Sequence, residues 1–132
     1  MCGIAGISLI KDRKFNNEEL LNDVNTKACI KLLNHRGPDD RGKWIENNIG
    51  LSHTRLSIID LSKNGHQPMI SKNNKIILSY NGEIYNFKEL YFELSDKNLK
   101  SNSDTEVLLE YYSQFGIDRL IKKANGMYAF SI

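Results

Sequence analysis

The chain has 132 residues, a formal net charge of +2, 40% hydrophobic residues and 26% charged residues. This length suits one domain, and the composition indicates a soluble globular protein. The small net charge favours neither a nucleic acid nor a membrane surface as a partner, and no apolar run reaches the ~20 residues of a membrane span. The two cysteines, Cys2 and Cys29, form no CxxC pair, which argues against a zinc site and a disulfide scaffold. No secretory leader opens the chain, so we expect a cytoplasmic location.

The first half of the sequence predicts a buried strand, one helix and a series of short strands. Residues 2–10 form an apolar, glycine-containing run that is typical of a strand. Asn16 opens a variant of the capping box, and apolar residues at helical spacing predict a helix that ends at Asn34, before Gly37-Pro38. Three short strands are predicted after this helix, at residues 43–46, 49–53 and 56–60.

The second half predicts a hairpin, three helices and a final strand. The runs 69–71 and 75–80 flank a polar turn, as in a β-hairpin. An amphipathic helix follows at residues 87–96, and a capping box at Ser103 opens a further helix that ends at Gly116. The remaining predicted elements are a short helix and a last strand, at residues 118–124 and 127–132.

The order of these elements indicates the fold class. Paired short strands with helices grouped between them predict a layered α+β fold and not alternating βαβ units. The sequence contains no internal repeats or low-complexity segments. Because the last predicted strand runs to the final residue without a turn or a polar tail, we expect a chain that is cut at its C-terminal end.

Cys2 is the first candidate functional residue because it directly follows the initiator methionine. Removal of Met1 would give Cys2 a free α-amine beside its thiol, and such an amine titrates near ~8. The thiol is a strong nucleophile, so this pair supplies both a nucleophile and a base. The alternative is a small residue at the start of a buried strand, and the first residues alone leave both interpretations open.

A cysteine that attacks an amide also needs donors for the oxyanion and a grip on the substrate. Asn81-Gly82 follows a β run and could form an oxyanion hole at a strand end, although Asn-Gly is also the commonest type I′ hairpin turn. Arg55 lies in an apolar β segment. It could clamp a substrate carboxylate, or it could form an internal salt bridge to Asp60 or Glu83.

Other polar residues favour structural roles when each is considered alone. Asp104 lies in the first turn of a predicted helix, where an acidic residue is favoured by the helix dipole. The histidines show no metal-ligand spacing, and no metal site is predicted. Each of them is expected to be structural: His35, His53 and His66.

Seven motifs occur along the chain in a characteristic order. They are CGIAG at 2–6, HRGPDD at 35–40, HTRLSIIDL at 53–61, GHQPM at 65–69, NGEIYN at 81–86, SDTEV at 103–107 and GMYAF at 126–130. Together they resemble the N-terminal glutaminase domain of glutamine-dependent asparagine synthetases, a class II glutamine amidotransferase domain of the N-terminal-nucleophile hydrolases. Pro38 and the residues after Arg55 and Gly82 are closer to this type than to the amidotransferases that make glucosamine phosphate or phosphoribosylamine. Relatives that serve cell-surface polysaccharide synthesis with other acceptors are not separated from it.

The resemblance implies a catalytic mechanism. Cys2 would attack the side-chain amide of glutamine, with its freed α-amine acting as the base through a water. The oxyanion would lie between the Asn81 side chain and the Gly82 N–H. Ammonia would leave, and water would then hydrolyse the thioester to glutamate.

The resemblance also implies a substrate pocket that holds both α-groups of glutamine and thereby selects it over asparagine. The implied contacts are Arg55 with the α-carboxylate, Glu83 and Asp104 with the α-ammonium, and backbone groups near Ile58 and Ile59 along the pocket wall.

The implied fold is the four-layer αββα sandwich, which in the family gains more strands beyond Phe130. The sandwich would therefore be incomplete here, with exposed strand edges. The synthetase domain is absent from residues 1–132, so no cofactor is expected in this domain, and ATP and magnesium are expected only in the missing one. The expected partners are glutamine and that synthetase domain, and a homodimer is compatible with them. The alternative is an inactive fragment that acts only as a binding or structural module, because Met1 is retained or the pocket is incomplete.

Overall fold

The computed structural model describes residues 2–8, 25–46 and 48–132, with the backbone alone for residues 25 and 26. The described part of the chain contains helices and antiparallel strands. In chain order these are β1 (Gly3–Ser8), α1 (Asn25–Leu33), a 3-10 helix (Asn34–Arg36), β2 (Asp40–Glu46), β3 (Ile49–Arg55), a second 3-10 helix (Lys63–Gly65), β4 (Met69–Ile70), β5 (Ile77–Ile84), α2 (Phe87–Glu93), α3 (Asp104–Lys123) and β6 (Gly126–Ser131).

The strands form two antiparallel sheets, with the orders β1-β3-β2 and β4-β5-β6. Helix α1 contacts β1 and β3, whereas α3 contacts β4, β5 and α2. The two sheets contact each other where β1 and β3 meet β5. The α+β class predicted from the sequence is confirmed. No described helix is long and apolar enough to cross a membrane.

The hydrophobic core lies between the β4-β5-β6 sheet and the helices α2 and α3. Its fully buried side chains include Leu78, Ile84, Leu90, Leu108, Leu109 and Tyr111. The contact between β3 and β5 is polar instead. The Ser79 hydroxyl donates to the Ser52 carbonyl at 3.3 Å, and the buried His53 bonds to the Tyr80 carbonyl at 3.0 Å. Polar groups buried in this way need partners, so these bonds hold β3 and β5 together.

Helix α3 begins at the predicted cap. The Ser103 hydroxyl accepts the Glu106 N–H at 3.3 Å. The buried Glu106 carboxylate accepts the N–H groups of Lys100 and Ser101 instead of that of Ser103. Gly116, with φ of 78°, interrupts the helix, which agrees with two predicted helical segments on either side of it. The first turn of α3, and Asp104 within it, is therefore held by both the cap and the preceding loop.

A polar cluster joins α2 to the second half of α3. Its carboxylate accepts hydrogen bonds from a tyrosine hydroxyl at 2.7 Å, a guanidinium at 2.8 Å and an ammonium at 3.0 Å. We call these four residues the Glu93 cluster: Glu93, Tyr111, Arg119 and Lys123. Its hydrogen bonds, the tyrosine bond first, lower the pKa of Glu93 to about 2.

The predicted strand at residues 56–60 is wrong. β3 ends at Arg55, and an irregular loop follows it to residue 62. The Asp60 carboxylate accepts the N–H groups of Ser62 and Asn102, both at distances below 3 Å, and the Asp60 carbonyl accepts from the Arg55 guanidinium. These bonds fold the loop back on itself, so its backbone has no ladder partner.

Strand β5 is longer than the predicted strand 75–80, and it continues through Asn81-Gly82 to Ile84. Asn81 therefore lies within a strand and not at its end, because β6 returns beside it and pairs Asn81 with Ala129. The hairpin-turn alternative for Asn81-Gly82 is wrong for the same reason. The predicted hairpin is confirmed, since β4 pairs with β5 in antiparallel register.

Two predicted helices differ from the observed ones at their ends. Helix α2 stops at Glu93 instead of residue 96, where the Lys97 ammonium donates to the carbonyls of Tyr91, Phe92 and Leu94 at 2.6–2.8 Å. Helix α1 is described from Asn25 to Leu33, and the predicted cap at Asn16 lies outside the described residues.

Candidate active site

One cavity of about 210 Å³ lies between the loop after β3, strand β5 and the first turn of α3. All eight residues implied by the resemblance line this cavity, although they come from separate elements. They are Cys2, Arg55, Ile58, Ile59, Asn81, Gly82, Glu83 and Asp104. The fold therefore brings the sequence-predicted residues together in one place.

Cys2 precedes β1 and is half-buried. Its Sγ lies 3.4 Å from the Leu56 N–H nitrogen and 3.7 Å from the Leu56 carbonyl oxygen. A thiolate can accept from the first group and a thiol can donate to the second, so one backbone residue serves both protonation states. The Cys2 carbonyl accepts from Arg36 Nε at 3.0 Å, which ties the N-terminal segment to the 3-10 helix. Cys2 is therefore held by polar contacts at the start of β1.

Arg55 ends β3 and is buried. Its Nη1 donates to the Ser62 carbonyl at 2.7 Å, and its Nη2 donates to the Asp60 carbonyl. Among the described residues Arg55 forms no ion pair, so the predicted internal salt bridge to Asp60 or Glu83 is not observed. A Cβ at Gly65 would lie 2.1 Å from Arg55 Nη2, so a side chain at this position would displace the guanidinium. Backbone carbonyls orient this cation, and no carboxylate of the described residues is in salt-bridge contact with it.

Asp104 occupies the first turn of α3 and is buried. Its Oδ2 accepts the Tyr80 hydroxyl at 2.7 Å and the Ile84 N–H at 3.0 Å. The positive end of the helix dipole also favours an anion at this position. Asp104 is therefore a fixed anion in the wall of the cavity that contains Arg55.

Asn81 and Gly82 meet the cavity from β5. The Asn81 Oδ1 is buried and has no hydrogen-bond partner in the described part of the chain. This oxygen can only accept a hydrogen bond, so the donor that an oxyanion would use is the amide nitrogen of the same side chain. A Cβ at Gly82 would lie 2.4 Å from the Met127 carbonyl oxygen, so the close approach of β6 requires glycine there.

The remaining predicted residues lie at the exposed side of the cavity. Ile58 is 67% exposed and Ile59 is 40% exposed, both in the loop after β3. Glu83 is exposed on β5, next to Asn81 and Gly82, the candidates for the oxyanion hole. These three residues line the cavity without being buried in it, so they are accessible to a ligand.

Sequence reasoning missed several residues of the cavity wall. Leu56 acts through its backbone, for which no sequence signal exists. Tyr80 carries the hydroxyl that meets Asp104, but its side chain could not be distinguished from an ordinary core aromatic. Gln67 is buried, and its side-chain oxygen accepts the Tyr80 N–H at 2.7 Å. Its place in the GHQPM motif was the available signal.

Each histidine has a hydrogen-bond partner within the protein, and the prediction that they are structural stays a prediction. His35 Nδ1 lies 3.0 Å from the Leu32 carbonyl, and His66 Nδ1 lies 2.7 Å from Asp40 Oδ2. Burial lowers the pKa of His53 to about 4, so this ring is neutral at pH 7. In the described ranges, no group of three or more His, Cys, Asp or Glu side chains is placed to hold a metal ion.

Comparison with known proteins identifies relatives of the chain. A protein of Methanocaldococcus jannaschii, provisionally named as a second glutamine-hydrolysing asparagine synthetase, is 41% identical over 150 aligned residues, which cover 100% of this chain and 27% of that protein. The glutamine-hydrolysing asparagine synthetase 2 of Bacillus subtilis is 36% identical over 132 residues, covering 100% and 17%. Amidase chry2 of Gibberella zeae is 38% identical over 107 residues, covering 79% and 16%. The chain thus spans about a quarter or less of the length of these relatives.

The family comparison agrees with these relatives. The family model described as a glutamine amidotransferase domain matches residues 1–132. The synthetases above are homologous to the chain over its full extent but only through their N-terminal parts. The chain therefore belongs to the glutamine amidotransferase domain family and is homologous to the glutaminase part of asparagine synthetases.

Proposed function

We propose that this domain hydrolyses glutamine to glutamate and ammonia with Cys2 as the nucleophile. The observation that carries the proposal is the placement of the Cys2 thiol in one cavity with a buried cation, Arg55, and a buried anion, Asp104. A free amino acid has a negative carboxylate and a positive ammonium group, both attached to its α-carbon. Opposite fixed charges beside a nucleophile therefore match the α-carboxylate, the α-ammonium and the side-chain amide of one glutamine molecule.

Acylation begins once Met1 has been removed and the α-amine of Cys2 is free. The amine takes the thiol proton through a water, and the Leu56 N–H at 3.4 Å supports the resulting thiolate. Sulfur adds to the amide carbon of glutamine, and the carbonyl electrons move to oxygen. The Asn81 side chain and the Gly82 N–H stabilise this oxyanion. Loss of one such donor in acyl transfer typically lowers the rate by about 10²–10³.

Acylation ends when the tetrahedral adduct expels ammonia, which takes its proton from the α-ammonium of Cys2, and a thioester remains. Deacylation then uses the same groups with water as the nucleophile. Water then adds to the thioester carbonyl, the C–S bond breaks, and glutamate leaves. The free α-amine takes a proton from this water and passes it to the departing sulfur, and the restored Cys2 thiol can then donate a hydrogen bond to the Leu56 carbonyl at 3.7 Å.

The clamp explains the choice of substrate. Arg55 holds the α-carboxylate through donors not used by the Asp60 and Ser62 carbonyls. Asp104 and Glu83 hold the α-ammonium. With both α-groups fixed, an amide one methylene shorter, as in asparagine, does not reach the thiol. The exposed Ile58 and Ile59 line the pocket at its mouth.

The proposal extends to the whole protein in which such a domain works. Ammonia from this cavity would feed a synthetase domain, which would supply the sites for ATP and magnesium, so that the glutaminase domain needs no cofactor. Aspartate is the proposed acceptor, with a sugar acid as the alternative. We also propose a cytoplasmic location and a homodimer.

The finer fold proposal is a four-layer αββα sandwich. Its support is the order of the observed contacts. Helix α1 contacts the β1-β3-β2 sheet, this sheet contacts β5 of the second sheet, and α3 contacts the outer side of the second sheet.

The test is glutamate release from glutamine by a chain whose intact mass shows that Met1 is gone. We expect turnover in the wild-type chain, none in Cys2→Ala, and wild-type turnover in Cys29→Ala. Cys29 is a matched control because it is also a free, half-buried thiol, but it lies on α1 outside the cavity. A trapped thioester should add the mass of a glutamyl group to the wild-type chain.

Turnover that survives Cys2→Ala would contradict the nucleophile assignment. Equal turnover before and after removal of Met1 would contradict the role of the α-amine, because a retained Met1 leaves Cys2 without a free amine.

A further inference from the structure

Tyr80 links two parts of the cavity, the oxyanion-hole candidate Asn81 and the carboxylate of Asp104. It directly precedes Asn81 on β5, and its hydroxyl donates to Asp104 Oδ2 at 2.7 Å. Tyr80 is only 2% exposed and Asp104 only 4% exposed, so this bond is shielded from water. A hydrogen bond to a charged group in such surroundings is stronger than one at the surface.

The backbone of Tyr80 is fixed as firmly as its side chain. Its N–H donates to Gln67 Oε1 at 2.7 Å, and its carbonyl accepts from His53 Nε2 at 3.0 Å. Burial and the adjacent Asp104 charge raise the pKa of the Tyr80 hydroxyl, so it keeps its proton and remains a donor. Tyr80 therefore presents one hydroxyl in one place.

The direction of the Tyr80 bond determines which carboxylate oxygen is left for a ligand. Both hydrogen bonds that Asp104 receives from β5, one from Tyr80 and one from the Ile84 N–H, end on Oδ2. A carboxylate with two donors on one oxygen cannot rotate without breaking them. Within the described ranges no hydrogen bond ends on the other oxygen, Oδ1, which leaves its lone pairs for a cation in the cavity.

We propose that Tyr80 is a positioning residue that holds Asp104 so that its carboxylate recognises the α-ammonium of the substrate. Tyr80 touches Asp104 and acts on the substrate through it. This inference rests on the proposed function, because it takes glutamine as the ligand. Its specific consequence is that the Tyr80 hydroxyl contributes to the recognition of the α-ammonium and not to that of the amide or the carboxylate.

The experiment measures binding instead of turnover, so that it does not depend on the chemistry. Calorimetry on a Cys2→Ala chain gives dissociation constants for glutamine and for 4-carbamoylbutanoate, which is glutamine with hydrogen in place of its α-ammonium. The ratio of the second constant to the first reports the contribution of the ammonium. Adding Tyr80→Phe removes one oxygen atom and should lower this ratio about tenfold, which corresponds to loss of a charge-assisted hydrogen bond.

The matched control is Tyr111→Phe. This tyrosine is also buried and its hydroxyl also donates to a carboxylate at 2.7 Å, but it belongs to the Glu93 cluster and does not line the cavity. The control should leave the ratio unchanged even if it lowers the melting temperature. A general loss of stability would affect both ligands equally, whereas a positioning role affects glutamine alone.

A second variant keeps the test valid if Tyr80→Phe does not fold. 4-Aminophenylalanine at position 80 retains the ring and supplies a weaker N–H donor to Asp104, so an intermediate ratio is expected. An unchanged ratio in the variants that fold, or an equal loss of affinity for both ligands, overturns the inference. Absence of glutamine binding by the Cys2→Ala chain also overturns it. Glutamine binding without hydrolysis by the wild-type chain would overturn the proposed function alone.

Discussion

Lowering the pH from 7 to 5 is expected to destabilise the fold through His53. This side chain is 1% exposed at the contact between β3 and β5. Its Nε2 lies 3.0 Å from the Tyr80 carbonyl, and a carbonyl only accepts, so Nε2 carries the proton. Nδ1 is buried without a partner among the described residues, so a second proton would have no acceptor. Burial, which outweighs the bond to Tyr80, lowers the pKa of His53 from 6.5 to about 4.

The sign of the effect follows from proton uptake. Between pH 6.5 and about 4, His53 in the unfolded chain binds a proton that the folded chain excludes. The free energy of unfolding therefore falls as the pH falls through this window. Below the window His53 lowers it no further. With these two pKa values, the loss between pH 7 and 5 is about 2 kcal/mol.

Urea denaturation at pH 7, 6 and 5 measures this loss. His53→Gln lowers stability at pH 7 but should flatten the dependence on pH, since its amide can still donate to the Tyr80 carbonyl and does not titrate. His35→Gln is the matched control, because His35 is exposed, and it should keep the wild-type slope. A His53→Gln chain that retains the full loss would refute the assignment of the acid sensitivity to this ring.

Three further predictions concern the framework of the site. Gly82→Ala places a Cβ 2.4 Å from the Met127 carbonyl oxygen, so β6 must shift. We expect the free energy of unfolding, measured by chemical denaturation, to fall by about 1–3 kcal/mol, and glutamine hydrolysis to be lost. Leu108→Ala empties a fully buried core position and should lower the free energy of unfolding by about 2–5 kcal/mol without changing the substrate preference of the remaining folded protein. In the wild-type chain the Glu93 cluster loses stability as the pH falls from 4.5 to about 2, and Glu93→Gln should remove this loss. Thermal melts at pH 5 and 3 would detect the difference, and an equal fall of the melting temperature in both proteins would contradict it.

Helix α3 illustrates what local sequence chemistry can predict. Ser103 and Glu106 have the spacing of a capping box, and Gly116 can take the positive φ that interrupts a helix. These signals depend only on residues within a few positions of each other. The predicted start, the interruption and the first-turn location of Asp104 therefore all agree with the structure.

The loop after β3 illustrates what local chemistry cannot predict. Leu56, Ile58 and Ile59 are apolar, and the two isoleucines are β-branched as is typical of a strand, yet the segment is irregular. The cause is the Asp60 carboxylate, which accepts the N–H of Asn102 from the segment that leads into α3. A local sequence pattern cannot reveal a hydrogen bond to such a distant residue, so the strand prediction fails at the residues that line the cavity.

The same limit applies to Asn81-Gly82. Locally the pair favours a turn, but β6 pairs with β5 and extends the strand past it. The residue types of the site could be predicted because the motifs resemble a known family. The contacts of Leu56 with the Cys2 thiol, and of Tyr80 with Asp104, could not, because one is made by backbone atoms and the other depends on the relative placement of β5 and α3.

The charges of the cavity are oriented mainly by neutral groups. Arg55 is held by two backbone carbonyls, and Asp104 is held by a hydroxyl and a backbone N–H. Such partners fix the direction of each charge without neutralising it, whereas an internal ion pair would have to be broken before a ligand could bind. A buried charge without a counterion is unfavourable, so part of its burden is relieved when a ligand supplies the opposite charge. An amino acid with both α-groups free relieves both charges at once, whereas a peptide-linked glutamine supplies neither. If the proposed function holds, we therefore expect free glutamine to be preferred over glutamine within a protein chain.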